Sequence, residues 1–466
     1  MSRLKIPTVP KYRKRLGGFG ATDVKSNESV LDFNTAAECY NFDCSSGALR
    51  PACGIKSHAV VPKDAVRYWV YRYFSDKTGG YVDQYVFQLK NGILRYYDPV
   101  LGKTLYISGV AYPPINALNY RLNSKDVLLM SGEGRKLIVW DGTAINEYQN
   151  SPTISSMAIH YERLFVTSSA EPTKVFFSDD LDPTNWNVGA DGGGFIELLD
   201  ERGELNKVVS FGSYLYIFRD HGISRVTAFG DQREFSVLNL FVTTGRIYPS
   251  SIATCGAGIM FLASDGLYMF DGYECRRALA NLDGLIAPND DCASAYADGK
   301  YYLACRMNFR DGKQVGCESG EFVTNGLLAF DPVTGEYSVT RGMDVRFMNK
   351  CVYDGEDFLM CRDGTASGVL CADGCRFGAP LPKRWQSPAS DFATPDRTKV
   401  LRELYIKTDC ACNVTLASGQ KQKTVAVKSG DRRVRLNFNG KRVSLAIDCD
   451  AGDCEIQAPT VVYSSY

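Results

Sequence analysis

Three cysteine pairs stand close enough along the chain to share an ion: Cys371/Cys375, Cys410/Cys412 and Cys449/Cys454. A structural zinc site takes two close pairs separated by two to four residues, or one such pair completed by histidines. The chain has 16 cysteines but only three histidines, His58, His160 and His221, so the match in spacing is superficial. No apolar stretch of the secretory type opens the sequence, and the expected state is reduced, buried thiols in a cytosol-like compartment with no metal or cofactor. Cys449 and Cys454 are close enough to pair if the protein later meets an oxidising medium.

Other chemistries find little support. A hydrolase triad needs a histidine between a nucleophile and an orienting acid, whereas His160 and His221 sit beside Tyr161 and Gly222 at strand edges, where a structural hydrogen bond is expected. A glycosidase needs two carboxylates in defined roles, and no spacing singles out a pair. The glycines at 192–194 and 17–20 lack the lysine and helix of a phosphate cradle. No enzymatic activity is expected.

Lysine plus arginine equals aspartate plus glutamate at 53 each, so no global field favours nucleic acid or membrane. Positive charge is concentrated at the start, in Arg3, Lys5, Lys11, Arg13, Lys14 and Arg15, with no acid before Asp23. Such an arm can contact an acidic surface or phosphates.

The elements that would position these groups are strands. Seven times an apolar strand runs into an Asp-containing turn, at Asp98, Asp141, Asp179, Asp220, Asp271, Asp331 and Asp354. The first three intervals are 43, 38 and 41 residues, close to the ~40–45 of a four-stranded propeller blade, and the next two lengthen to 51 and 60. Near-continuous apolar runs, such as 127–130 and 259–262, suit strands covered on both faces, and Asn91-Gly92 marks a tight hairpin. The fold expected is all-β: a six- or seven-bladed β-propeller over 60–385, preceded by an extended arm and strap at 1–59 with one short helical turn near 35–40. Residues 386–466 form a linker and a small antiparallel β-sandwich, whose strands are expected at 401–407, 414–417, 424–427, 434–438 and 443–447.

Two places on this scaffold stand out. The stretch 306–321 is longer and more polar than a tight turn requires, which makes Arg306, Arg310 and Lys313 candidates for contacts with a partner, as is the basic arm. The stretch 178–186 resembles the Asp-box of sialidase-like propellers, with Ser178, Asp180 and Asp182 bonding a turn and Trp186 packing beneath it. It departs from that pattern in having Asp182 for the central glycine and Asn185 inserted before Trp186. The box is structural and supports a fold, not a reaction.

A wider likeness runs from Leu16 to Gly272. The opening Gly18-Phe19-Gly20-Ala21-Thr22-Asp23, then Asn41-Phe42-Asp43, Gly47-Ala48-Leu49-Arg50 and Gly54, is similar to the strap of phage tail propellers. Further on, Arg163-Leu164-Phe165-Val166, Val175-Phe176-Phe177-Ser178-Asp179, Asp182-Pro183-Thr184-Asn185-Trp186, Leu215-Tyr216-Ile217-Phe218 and Ala263-Ser264-Asp265-Gly266-Leu267-Tyr268 follow in the order of tail nozzle, or packaged-DNA stabilisation, proteins of short-tailed phages. The resemblance implies a homo-oligomeric ring, six-fold by expectation, assembled in the host cytoplasm and carried in the virion tail below the portal and adaptor. The ring retains genomic DNA and lets it pass without reading its sequence. The alternative is a propeller lectin or receptor-binding tail protein using Trp69, Tyr73 and Trp385 against glycan, and a third is a propeller glycosidase.

Overall fold

The computed structural model describes residues 10–189, 192–310, 322–353 and 356–466. Among them the only helical elements are three single 3₁₀ turns, at Gln232–Glu234, Pro249–Ser251 and Ala280–Leu282; all else is strand and connection.

Seven blade sheets follow one another, the first five of them four-stranded antiparallel meanders, the sixth with one extra short strand and the seventh six-stranded. Blade 1 runs from Ala65–Ser75 to Lys103–Ile107, blade 2 from Asn116–Leu122 to Ile145–Tyr148, and blade 3 from Ser156–His160 to Gly194–Glu197. Blade 4 runs from Leu205–Phe211 to Ser236–Val242, blade 5 from Ala253–Cys255 to Cys275–Ala278, and blade 6 from Ala293–Ala297 to Tyr337–Arg341. Blade 7 takes Val345–Tyr353, Glu356–Asp363 and Ser367–Cys371 from this part of the chain. Its fourth strand is Gly54–Lys56, which lies antiparallel to Ser367–Cys371 with Leu370 opposite Ile55, and the short strands Cys375–Arg376 and Ala379–Pro380 extend the sheet beyond it. The N-terminal segment therefore closes the ring.

Seven apolar clusters lie one at each blade-to-blade interface, which is why the middle strands are apolar throughout. The strand Gly258–Ala263 is buried along its whole length, whereas the outer strand Ile145–Tyr148 is not. Between blades 7 and 1, Tyr68 and Phe87 meet Cys351, Met360 and Val369, and the rings of Tyr68 and Phe347 stand 5.3 Å apart. The wheel is continuous.

Four of the aspartates that mark the repeat do the same job. Asp98, Asp141, Asp271 and Asp331 each follow a blade's third strand and accept hydrogen bonds from the amides two and three residues ahead. The others are not equivalent. Asp220 sits between the second and third strands of blade 4, Asp179 belongs to a longer connection, and Asp354 lies outside the described residues.

The second body is a sandwich of nine strands. One sheet has the order Tyr12–Arg15, Thr460–Ser465, Lys399–Thr408, Gly430–Gly440, and the other Glu38–Tyr40, Lys383–Gln386, Ser444–Cys449, Cys412–Ser418, Lys421–Val427. Its core includes Phe19, Trp385, Leu404, Val414, Leu436 and Ile447.

Several expectations need correction. The stretch 35–40 ends in the strand Glu38–Tyr40 and not in a helical turn, because it pairs with Lys383–Gln386. Part of the arm read as extended is a strand of the sandwich: Tyr12–Arg15 is hydrogen-bonded along Thr460–Ser465, and Tyr12 lies 5.5 Å from Tyr463. Divisions at 59/60 and 385/386 cut through both bodies, since 12–40 supplies the sandwich, 54–56 supplies the propeller, and 383–386 is a sandwich strand.

Candidate functional site

The first strands of six blades, with the Pro249–Ser251 turn that precedes blade 5, converge on a cavity of about 460 Å³ at the end of the axis where those strands begin. That volume lies in the ~300–1,000 Å³ range of small-molecule sites. Its cations are Arg67 of blade 1, Lys207 of blade 4 and Arg346 of blade 7, and its lining also includes Trp69, Met157 and Phe347. Lys207 donates to the carbonyls of Pro249, at 3.2 Å, and Ile252, at 2.8 Å, and burial pushes its ammonium down to about 8. Burial also lowers Arg67, with Glu133 opposing, while Arg346 is paired with Asp344 at 2.6 Å. Two of the cavity's three cations are thus engaged by the protein's own oxygens. The cavity's one thiol, Cys292, is raised to about 12 by burial and so stays protonated.

His160 and Ser210 are the nearest approach to a catalytic pair, with Nδ1 and Oγ 2.9 Å apart between blades 3 and 4. Burial lowers His160 to about 4, and its Nε2 meets no hydrogen-bond partner, so no third group orients the ring. The pair is a neutral strut.

The Asp-box-like turn is built as a turn should be, with one exchange of roles. The buried Ser178 Oγ accepts from the amide of Leu164 at 3.0 Å and donates to the Asp179 carbonyl. Ser151 repeats this in blade 2, accepting from Leu137 and donating to the Pro152 carbonyl. Asp182 accepts from the Thr184 amide and hydroxyl, and Trp186 is buried in the interface of blades 2 and 3. Asp180 is exposed in effect, contributing only its amide to Asp179; the turn-closing acid is Asp179, which takes a hydrogen bond from Asn185 at 2.9 Å. Leu181 adopts the left-handed φ of 57° that a glycine would favour, and the inserted Asn185 ties the lengthened loop back.

The basic candidates are dispersed. Lys11, Arg13, Lys14 and Arg15 are exposed on or beside an edge strand of the sandwich. Arg310 is engaged within the chain by an ion pair to Glu28, and Arg306 donates to the Val323 carbonyl at 3.3 Å. Arg3, Lys5 and Lys313 lie outside the described residues. Of the aromatics nominated for glycan, Trp385 is fully buried and donates to the Gly20 carbonyl at 3.1 Å. Trp69 is buried and lines the axial cavity, and Tyr73 is stacked on Tyr71 at 5.4 Å. They are packing residues.

The sequence pairs of cysteines regroup in space. Cys410 joins Cys449 and Cys454, their sulfurs all within 4.8 Å of one another, while Cys371 stays apart from this group and burial raises it to about 12. Cys449 is pushed down to about 6 by a hydrogen bond from Cys454, with burial opposing, and Cys454 rises as the donor. The spacing of Cys449 and Cys454 was the available signal; Cys410 becomes their neighbour only through strand pairing.

No family model and no curated protein matches the chain. Solved structures do. BBS1N in crystals of its complex with ARL6DN aligns with a TM-score of 0.44 at 9% identity, over 68% of this chain and 98% of that one, and in a second crystal with 0.42 at 10%, over 70% and 96%. BamB from Moraxella catarrhalis aligns with a TM-score of 0.38 at 10% identity, over 62% and 78%. Likenesses at this level bear on fold alone.

Proposed function

We propose that this chain is a non-enzymatic structural protein of a phage tail, forming a homo-oligomeric ring below the portal and adaptor through which genomic DNA leaves. The observation that carries the reading is where the resembling residues sit. The Gly18–Asp23, Asn41–Asp43 and Gly47–Gly54 motifs are the stitching between propeller and sandwich. Asn41 donates to the Pro382 carbonyl at 2.7 Å and accepts from the Arg341 amide at 2.6 Å, joining blade 6 to the segment that enters the sandwich. A Cβ at Gly54 would lie 2.4 Å from the Cys375 carbonyl and 2.6 Å from its amide, so the approach of the Cys375–Arg376 strand to Gly54–Lys56 requires glycine. The resembling motifs thus lie in the connection between the two bodies as well as in blade turns.

A chain balanced at 53 basic and 53 acidic residues would grip a sliding polyanion weakly.

Negative-stain imaging and sedimentation of the full chain, alone and mixed with the portal and adaptor of the same virus, test this. Rings with an open centre that seat on the portal are expected. A monomer that ignores the portal but binds glycans on an array moves the assignment to a lectin; hydrolysis of a chromogenic sugar panel moves it to a glycosidase.

A further inference from the structure

Three thiols from two remote parts of the chain meet at one end of the sandwich. Cys449 ends the strand Ser444–Cys449, Cys454 lies in the loop that follows, and Cys410 stands just before the neighbouring strand Cys412–Ser418. Cys410 and Cys449 sulfurs are 3.5 Å apart, and all three lie within 4.8 Å of one another. Thiolates bound to zinc at about 2.3 Å in tetrahedral directions are themselves about 3.8 Å apart. The trio is already near that arrangement, and four intervening residues between Cys449 and Cys454 is a familiar ligand spacing.

Charge supplies the second observation. Lys383 stands directly opposite Cys449 in the strand register and is only 1% exposed. Its ammonium donates to the carbonyls of Leu381 and Ala451, the latter inside the Cys449–Cys454 loop, and no carboxylate pairs with it among the described residues. A buried cation without an anion is costly. Three thiolates around a divalent cation carry one net negative charge, which this ammonium neutralises; around a monovalent cation they would carry two.

We infer that Cys410, Cys449 and Cys454 form a binding site for a thiophilic divalent cation of the zinc class, with Lys383 as its counter-charge. Binding releases the thiol protons to solvent and leaves the fourth coordination position to water or another donor. The site would fasten the 450–456 loop, where Ile456 bridges to Leu49 and Thr408 and Glu455 pairs with Arg50 at 3.1 Å. It would thereby hold the N-terminal segment onto the sandwich.

The test uses the full chain purified under reducing conditions, with metal content measured directly and cobalt(II) then titrated in as a spectroscopic probe. One zinc per chain is expected, together with thiolate-to-cobalt charge-transfer bands that zinc displaces. Cys454→Ser should lose the ion, whereas Cys371→Ser should keep it. Should Cys454→Ser fail to fold, alkylation mapped by mass spectrometry on the unmutated protein decides: zinc should shield Cys410, Cys449 and Cys454 at least tenfold over the other thiols. A metal-free reduced chain with no cobalt–thiolate bands, equal alkylation with and without zinc, or a Cys410–Cys449 disulfide in protein isolated anaerobically would each overturn the assignment.

Discussion

If Gly54–Lys56 is the strand that completes the wheel, its one buried large side chain should govern how readily blade 7 opens. Ile55 is fully buried among Leu327, Val345, Leu359 and Cys361. Ile55→Ala removes three carbon atoms, worth about 2.5 kcal/mol at ~0.8 kcal/mol each, and the cavity left behind brings the cost to about 3–4 kcal/mol. A chain of two bodies does not unfold in one step, so a global midpoint would blur the effect. Hydrogen exchange followed by mass spectrometry reads it locally. Amides of Ser367–Cys371, which pair with Gly54–Lys56, should exchange about a hundredfold faster, since 1.4 kcal/mol is a factor of ten. Those of blade 3, on the far side of the wheel, should change little. Val333→Ala, at a position 86% exposed, is the control and should stay within about 0.5 kcal/mol of the unmutated chain. Equal exchange of Ser367–Cys371 in the two variants would refute ring closure by the N-terminal strand.

Two pH dependences follow from the charged groups of the propeller. Asp271 is held below its usual range chiefly by the Glu274 amide and then the Tyr273 amide, and Asp331 by the amides of Val333 and Thr334. A carboxylate lowered by folding stabilises above its unfolded pKa of about 3.9 and loses that contribution as pH falls toward the folded value. Asp271→Asn should therefore show a shallower fall in melting temperature than the unmutated chain between about pH 5 and about pH 3. Lys207 runs in the opposite direction. With its ammonium lowered to about 8 against about 10.4 unfolded, the unfolded chain binds more protons in that window, so stability should rise from pH 8 to about pH 10. Lys207→Met should abolish the rise, and an unchanged slope in thermal melts would show that Lys207 is not buried as described.

What could be read in advance depended on how local the cause was. The blade repeat was legible because each Asx turn and each doubly covered strand is written in adjacent residues: Asp141 meets the amides of Thr143 and Ala144, and Leu128-Leu129-Met130 is apolar because both faces are covered. The marker tolerated error, since Asp220 marks a different turn of its blade without changing the count. The N-terminal strands were illegible for the opposite reason. Glu38–Tyr40 and Gly54–Lys56 are three residues each, too short for any period, and their partners lie more than 300 residues away. Tyr12–Arg15 carries three cations outward, and only its backbone pairs. The cysteine trio was half legible, through Cys449 and Cys454, because Cys410 arrives by a pairing that begins at Asn413 and Asp448.

This topology makes the two bodies interdependent. Blade 7 lacks its fourth strand without 54–56, and the sandwich lacks a strand in each sheet without 12–15 and 38–40, while its remaining strands all lie beyond residue 382. Neither body can be completed until nearly the whole chain exists, and the closing contacts carry the largest loop-closure cost in the molecule. In return the propeller and sandwich are joined by hydrogen-bonded strands and not by a flexible tether. Tyr337 and Asn281 of the propeller both bond the Thr22 carbonyl, Lys25 reaches Asp283 at 2.8 Å, and Trp385 in the sandwich holds Gly20 only two residues earlier. Load applied to the sandwich can therefore reach blades 5 and 6 through that short strap as well as through Asn41, which bonds Arg341 and Pro382. A direct connection of this kind is what the ring proposed above would require of its subunits.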